Sequence, residues 1–138
     1  MIVLNDLLEL VSNTDPRFAA AAGDFVEDWK NEPETEKEGL PHYLLFSELA
    51  GIVAQGLKKG DHENFNAIFD LIEQLHIEGD QKVKELATVG FLEDIQNIML
   101  ADKTGLHLAH PFLLPQSKIW WDKLILFWEH DDKAALHE

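Results

Sequence analysis

The chain has 138 residues, 46% of them hydrophobic, and its 26 acidic against 11 basic side chains leave a formal net charge of −15. That apolar content is too high for a disordered chain, and the length supplies one domain, residues 1–138, with an unaided core. With a single arginine, Arg17, and no cysteine, the chain is poorly equipped for nucleic-acid phosphates or anionic membrane surfaces, and a disulfide, a thiolate metal site or a thiol nucleophile is excluded.

Residues 1–10, MIVLNDLLEL, lack the positive region and small-residue cleavage site of a secretory signal. No apolar run approaches the roughly 20 residues of a membrane span. The expectation is a soluble cytoplasmic protein whose natural partners are basic surfaces.

In chain order, Asn5 is placed to cap a short helix carrying Leu7, Leu8 and Val11. Asp15-Pro16 gives the next start signal, with the aspartate as cap and the proline at the first helical position. Phe18, Ala22, Phe25, Val26 and Trp29 then form one stripe at helical spacing, with Asp24, Glu27 and Asp28 off it. The run NEPETEKEGLP has no hydrophobic period and predicts an exposed loop around Pro33.

Pro41 opens a third helix with Leu45, Leu49, Ile52, Val53 and Leu57 on its buried side. Gly51 and Gly56 weaken it by about 1 kcal/mol each relative to alanine, unless they permit close packing. Gly60-Asp61 and Gly79-Asp80 each predict a helix end followed at once by a capped start. Between them Phe65, Ile68, Phe69, Ile72 and Leu75 make an amphipathic face; Val83, Leu86, Ala87, Leu92, Ile95, Ile98 and Met99 follow.

The segment from Lys103 to Gln116 holds Gly105, Pro111 and Pro115 and predicts an irregular connection, too apolar to leave in water. A last helix carries Ile119, Trp120, Trp121, Leu124, Ile125, Phe127 and Trp128, an arc wider than one stripe. Beyond about residue 130 the tail is expected to fray. The predicted fold is all-α, a single domain of about five to six antiparallel helices with short Gly-Asp turns. It is an irregular bundle or, second, a small HEAT-like stack.

Few residues carry chemistry. Glu73 and His76 match the Glu-x-x-His element of helical di-iron sites, but no second copy exists, so an ordinary surface or boundary pair is expected. His107 and His110 lack an obvious third ligand, and His130-Asp131-Asp132 is an acidic helix end. No metalloprotease, serine-hydrolase, phosphate-loop or dinucleotide motif occurs. No catalytic residue, metal or cofactor is predicted. Of the four tryptophans, Trp29, Trp120, Trp121 and Trp128, helical spacing favours core filling over a docking surface.

Acidity is the most informative feature. Residues 1–94 hold 20 acidic and 7 basic side chains, a balance of −13, and the remainder is nearly neutral at −2. Charged outer faces keep helices soluble. They also suit a basic partner, raising encounter rates and imitating the phosphates a nucleic-acid binder expects. The interface candidates are Asp24, Glu27, Asp28, Glu63, Asp70 and Glu73.

The segment LLPQSKIWWDKLILFWE, with Pro115, Ser117, Lys118, Trp120, Trp121, Asp122, Leu124, Phe127 and Trp128, resembles the ends of a family of small bacterial helical proteins of largely unassigned function. The middle segment HYLLFSELAGIVAQGLKKGD is similar to it as well. Some members resemble immunity proteins of contact-dependent growth inhibition and other polymorphic toxin systems. The resemblance implies a non-enzymatic inhibitor that occludes the active or nucleic-acid-binding cleft of a cognate basic toxin, such as a nuclease. The alternatives are a helical, HEAT-like adaptor that docks through aromatic surface and, third, a metalloenzyme built on Glu73 and His76.

Overall fold

The computed structural model describes residues 1–130, and every regular element within them is helical. A 3-10 turn (Leu4–Asp6) leads into α1 (Leu7–Ser12), followed by α2 (Pro16–Trp29), α3 (Pro33–Glu38), α4 (His42–Lys59) and α5 (Phe65–Glu78). Then come α6 (Gln81–Glu85), a π-helical segment (Leu86–Leu92), α7 (Glu93–Ala101), a second 3-10 turn (Leu106–Phe112) and α8 (Pro115–His130). The predicted fraying tail falls outside the described residues.

The predicted all-α, single-domain fold is observed as an irregular array. α1 packs on α2, α2 on α4, and α4 on the π segment and α7. α5 pairs with α8, and both pack on the π segment, which touches α4, α5 and α8. One core runs through all of this, and Phe18, Phe46, Phe65, Phe69, Phe91 and Trp121 are fully buried in it. Each such side chain contributes up to about 3 kcal/mol by leaving water. Phe112 stacks against Phe69 at 5.8 Å and meets Phe65 edge-on at 5.1 Å, which holds the second 3-10 turn down on α5.

α6, the π segment and α7 form one unbroken helical run, because Glu85, Leu86, Leu92 and Glu93 at the two joints all keep right-handed helical angles. Its sequence has a reason for the wider turn. Val83, Ala87, Phe91, Ile95 and Met99 are all buried, at a strict spacing of four. In an α-helix of 3.6 residues per turn that spacing drifts about 40° per step and carries the stripe out of the core. The wider π turn takes back part of the drift.

Glycine acts differently at the two Gly-Asp junctions. Gly60 ends α4 in the left-handed conformation, φ 76°, as predicted. Gly79 has φ −70°, so conformational freedom is not the reason for it; a Cβ there would strike the Leu75 carbonyl and the Val83 side chain. Asp80 then caps α6 by accepting from the Val83 N–H at 2.9 Å. Ile2 lies against this corner, donating its N–H to the Glu78 carbonyl at 2.8 Å and accepting from the Asp80 N–H at 2.9 Å.

Three local expectations are corrected. Asn5 does not cap α1 but sits inside the 3-10 turn, where Asp6 accepts from the Val3 N–H. Residues 33–38 are a helix rather than a loop; α3 buries no side chain, so no hydrophobic period marks it. Pro33 starts it, and the Thr35 hydroxyl ties it to the Trp29 carbonyl at the end of α2. Asp61 does not cap α5, which begins at Phe65, because residues 61–64 turn so that Asn64 donates to Asp15 at 2.8 Å.

Asp15 is the cap predicted for α2, accepting from the Arg17 and Phe18 N–H groups, and it also binds the Arg17 guanidinium. Burial works against its charge, but the hydrogen bonds from Arg17 and Asn64 outweigh it and hold the carboxyl at about 2 against an ordinary 3.8. A lowered folded-state value stabilises above the unfolded value and is lost as pH falls through the folded one. Asp15→Asn, which keeps a capping oxygen, should cost about 1–2 kcal/mol at pH 7. In denaturant titrations the difference from the wild type should shrink as pH falls from about 4 towards 2.

Candidate functional site

α8 opens with Leu114-Pro115, which contains no capping side chain. The Leu114 carbonyl accepts the first helical bond, from the Lys118 N–H at 2.8 Å, so Leu114 stands at the N-cap with a side chain that offers no oxygen. Glu73 of α5 supplies what is missing. One carboxylate oxygen accepts from the Gln116 N–H at 2.9 Å; the other accepts from the Ser117 N–H and the Ser117 hydroxyl, each at 2.9 Å. Pro115 has no N–H, so the free donors of the first turn are all accounted for. The charge also sits where the helix dipole favours an anion.

His76, one turn further along α5, completes the cluster. Its Nδ1 lies 2.9 Å from the Ile72 carbonyl and 3.3 Å from the Ser117 hydroxyl, and its Nε2 lies 2.9 Å from the Thr88 hydroxyl. A carbonyl can only accept, so Nδ1 carries the proton and Nε2 accepts from Thr88. Thr88 belongs to the π segment, so one imidazole joins α5, α8 and the junction of the fold. Burial lowers the His76 pKa below the ordinary 6.5, with Lys84 acting in the same direction against the Ile72 carbonyl and Glu73.

These positions correct two sequence readings. Glu73 and His76 are each only 6% exposed, so they are a buried packing pair and not a surface one. Glu73 is therefore removed from the docking candidates: its two oxygens are committed to α8 and present no charge to a partner. Serine, histidine and glutamate do meet here. Ser117 is fully buried, however, and its hydroxyl proton points to Glu73, an arrangement that positions a helix and leaves no nucleophile facing solvent.

The other five candidates, Asp24, Glu27, Asp28, Glu63 and Asp70, are exposed. They lie on α2 and at or on α5. Asp24, Glu27 and Asp28 lie on the second half of α2, where Glu27 pairs with Lys30 at 2.9 Å, and the acids of α3 follow directly. Glu63 precedes α5 and Asp70 lies on its outer side. The two helices meet near their N-terminal ends, where Arg17 donates to the Glu63 carbonyl at 3.0 Å. The exposed acids thus form two regions, one on the second half of α2 with α3 and one at Glu63 and Asp70, and Glu73 belongs to neither.

A network that the sequence reading missed fixes the middle of α8. Gln96 of α7 is fully buried, donates to the Trp121 carbonyl at 3.1 Å and accepts from Trp128 Nε1 at 3.0 Å. The only hint in the sequence is a glutamine one residue after Ile95, inside an apolar period. Trp121 is fully buried, Trp29 and Trp120 are half-buried, and Trp128 is 40% exposed, so most tryptophan surface serves the core. His110 pairs with Asp122 at 3.3 Å, and among the described residues no group of three or more possible ligands is placed to hold a metal. An open groove of about 540 Å³ along α4 is lined by Gly51, Ile52 and Gln55, with Arg17 and Lys59 balanced by Glu48 and Asp61. No helix among the described residues is long and apolar enough to cross a membrane.

The sequence matches the model of a family described as a domain of unknown function, DUF7674, over residues 8–129, from α1 to the last turns of α8. The chain belongs to that family. No curated protein and no solved structure matches it.

Glu73→Gln replaces one accepting oxygen with a donor facing a backbone N–H, and it should cost about 1–3 kcal/mol in chemical denaturation. A histidine whose folded-state pKa is lowered keeps its full contribution above the unfolded value, near 6.5, and loses it as pH falls from there towards the folded value. Stability should therefore decline below about pH 6.5, and less steeply in His76→Gln, with the half-buried His42, also lowered by burial, supplying a remaining slope of the same sign.

Proposed function

We propose that this member of the DUF7674 family is an immunity protein that binds and neutralises a cognate toxin with a basic surface, a nuclease being the best fit. The observation that carries this reading is the exposure of Asp24, Glu27, Asp28, Glu63 and Asp70 on a chain of net charge −15. Carboxylates on outward helix faces present negative charge at spacings that a phosphate-binding cleft accepts, and they steer a cationic partner into contact before short-range packing forms. Inhibition is then occlusion: the acidic surface covers the cleft, and no bond is made or broken.

Two further observations support a binding module. Four residues of the C-terminal segment on which the resemblance to small helical bacterial proteins rests have packing roles. Pro115 starts α8, Ser117 binds Glu73, Trp121 fills the core and Trp128 binds Gln96. The five exposed acids of α2 and the α5 region take no part in those four contacts, which leaves them available to a partner.

The test is co-expression with the product of the neighbouring gene, followed by binding kinetics. The five-fold reversal Asp24→Lys, Glu27→Lys, Asp28→Lys, Glu63→Lys and Asp70→Lys should slow association by about tenfold or more and abolish protection from the toxin. Raising salt should slow wild-type association, since screening acts over about 8 Å at physiological ionic strength. An acidic partner, or equal binding by the reversed variant, would overturn the proposal.

A further inference from the structure

The outward face of α8 differs from every acidic surface described above. Ile119 and Leu126, 48% and 47% exposed, stand seven residues apart. Seven residues are close to two turns, so the two side chains lie nearly in line, opposite the buried Ser117, Trp121 and Leu124. Asp122 and Lys123 fall between them, about 50° to either side of that line at 100° per residue. The helix as a whole is neutral, with Lys118 and Lys123 against Asp122 and Glu129.

Charge decides what such a face can meet. Residues 1–94 carry a balance of −13, so most of this surface repels a second copy of itself. A two-fold association presses one patch against the same patch, and it therefore requires a patch that does not repel itself. The neutral α8 face meets that condition, and its two flanks have opposite sign. About a two-fold axis parallel to the helix, Ile119 meets Ile119, Leu126 meets Leu126, and the Asp122 flank of each helix faces the Lys123 flank of the other. A foreign basic partner would find no net charge here to attract it, whereas an identical helix is complementary to it.

We infer that the outward face of α8 is a self-association surface, on which a second copy of this chain docks with the two helices parallel. Ile119 and Leu126 belong to neither acidic region of α2 and α5, so, on the function proposed above, a pair of chains holds two partners at once.

The experiment is sedimentation equilibrium of the untagged full chain from about 10 µM to 1 mM, the range in which a small interface associates. The mass should rise from one chain towards two. Leu126→Asp should weaken association by tenfold or more with unchanged helix content, since the side chain is half exposed. Asp122→Lys should also weaken it, by setting lysines on both flanks. The double change Asp122→Lys with Lys123→Asp should restore it, because the flanks are then opposite again. The contact of Asp122 with His110 is lost in both variants and so cancels from the comparison, and Lys123→Asp alone measures the loss of the Lys123 contact over the Trp120 ring at 4.6 Å. A single chain at every concentration, undiminished association of Leu126→Asp, or a double variant no stronger than Asp122→Lys would overturn the inference.

Discussion

Attachment of the last helix depends on one carboxylate. α8 carries Trp121 and Leu124 into the core, yet its own first turn has no means of satisfying the N–H groups of Gln116 and Ser117. Glu73 does so from another helix, 43 residues earlier in the chain at Gln116. A cap supplied from within a helix's own sequence helps that helix wherever it lies. A cap supplied by α5 works only when α8 is docked at the correct height and rotation. The contact therefore selects a position for α8 as well as stabilising it, and Gln96, which binds the Trp121 carbonyl and the Trp128 indole, fixes that position again two turns on.

Much of the scaffold was legible because it follows from periodicity. The stripes at Phe18 to Phe25, Leu45 to Leu57 and Phe65 to Leu75 are buried as their spacing predicts, and Asp15 and Asp80 cap the helices they precede. α3 was not legible, since a helix with no buried side chain leaves no stripe to read. The π segment did leave a trace, in five buried residues spaced by four, but it becomes meaningful only when the drift of a true α-helix is worked through. Glu73 was misassigned because, on its own helix, it reads as one more acid beside the apolar face. Its partners lie on α8, and nothing within one helical turn of Glu73 announces them.

The structure also separates two uses of acidity that composition cannot distinguish. Asp15, Asp80 and Glu73 are spent on helix starts, where a carboxylate substitutes for missing backbone partners. The outward acids of α2 and α5 have no such role in the fold. The negative charge that remains free to act on a partner is thus smaller than the formal total. The nearly neutral α8 marks where that field ends.

Ile2 is hydrogen-bonded on both sides to the corner between α5 and α6, to Glu78 and Asp80. During synthesis the amino-terminal residues leave the ribosome well before residues 78–80 exist, and closing so long a span is entropically slow. Ile2 therefore makes its contact with a corner synthesised more than seventy residues after it. That edge contact closes only once the end of α5 and the start of α6 exist, although the residue that makes it precedes both in the chain.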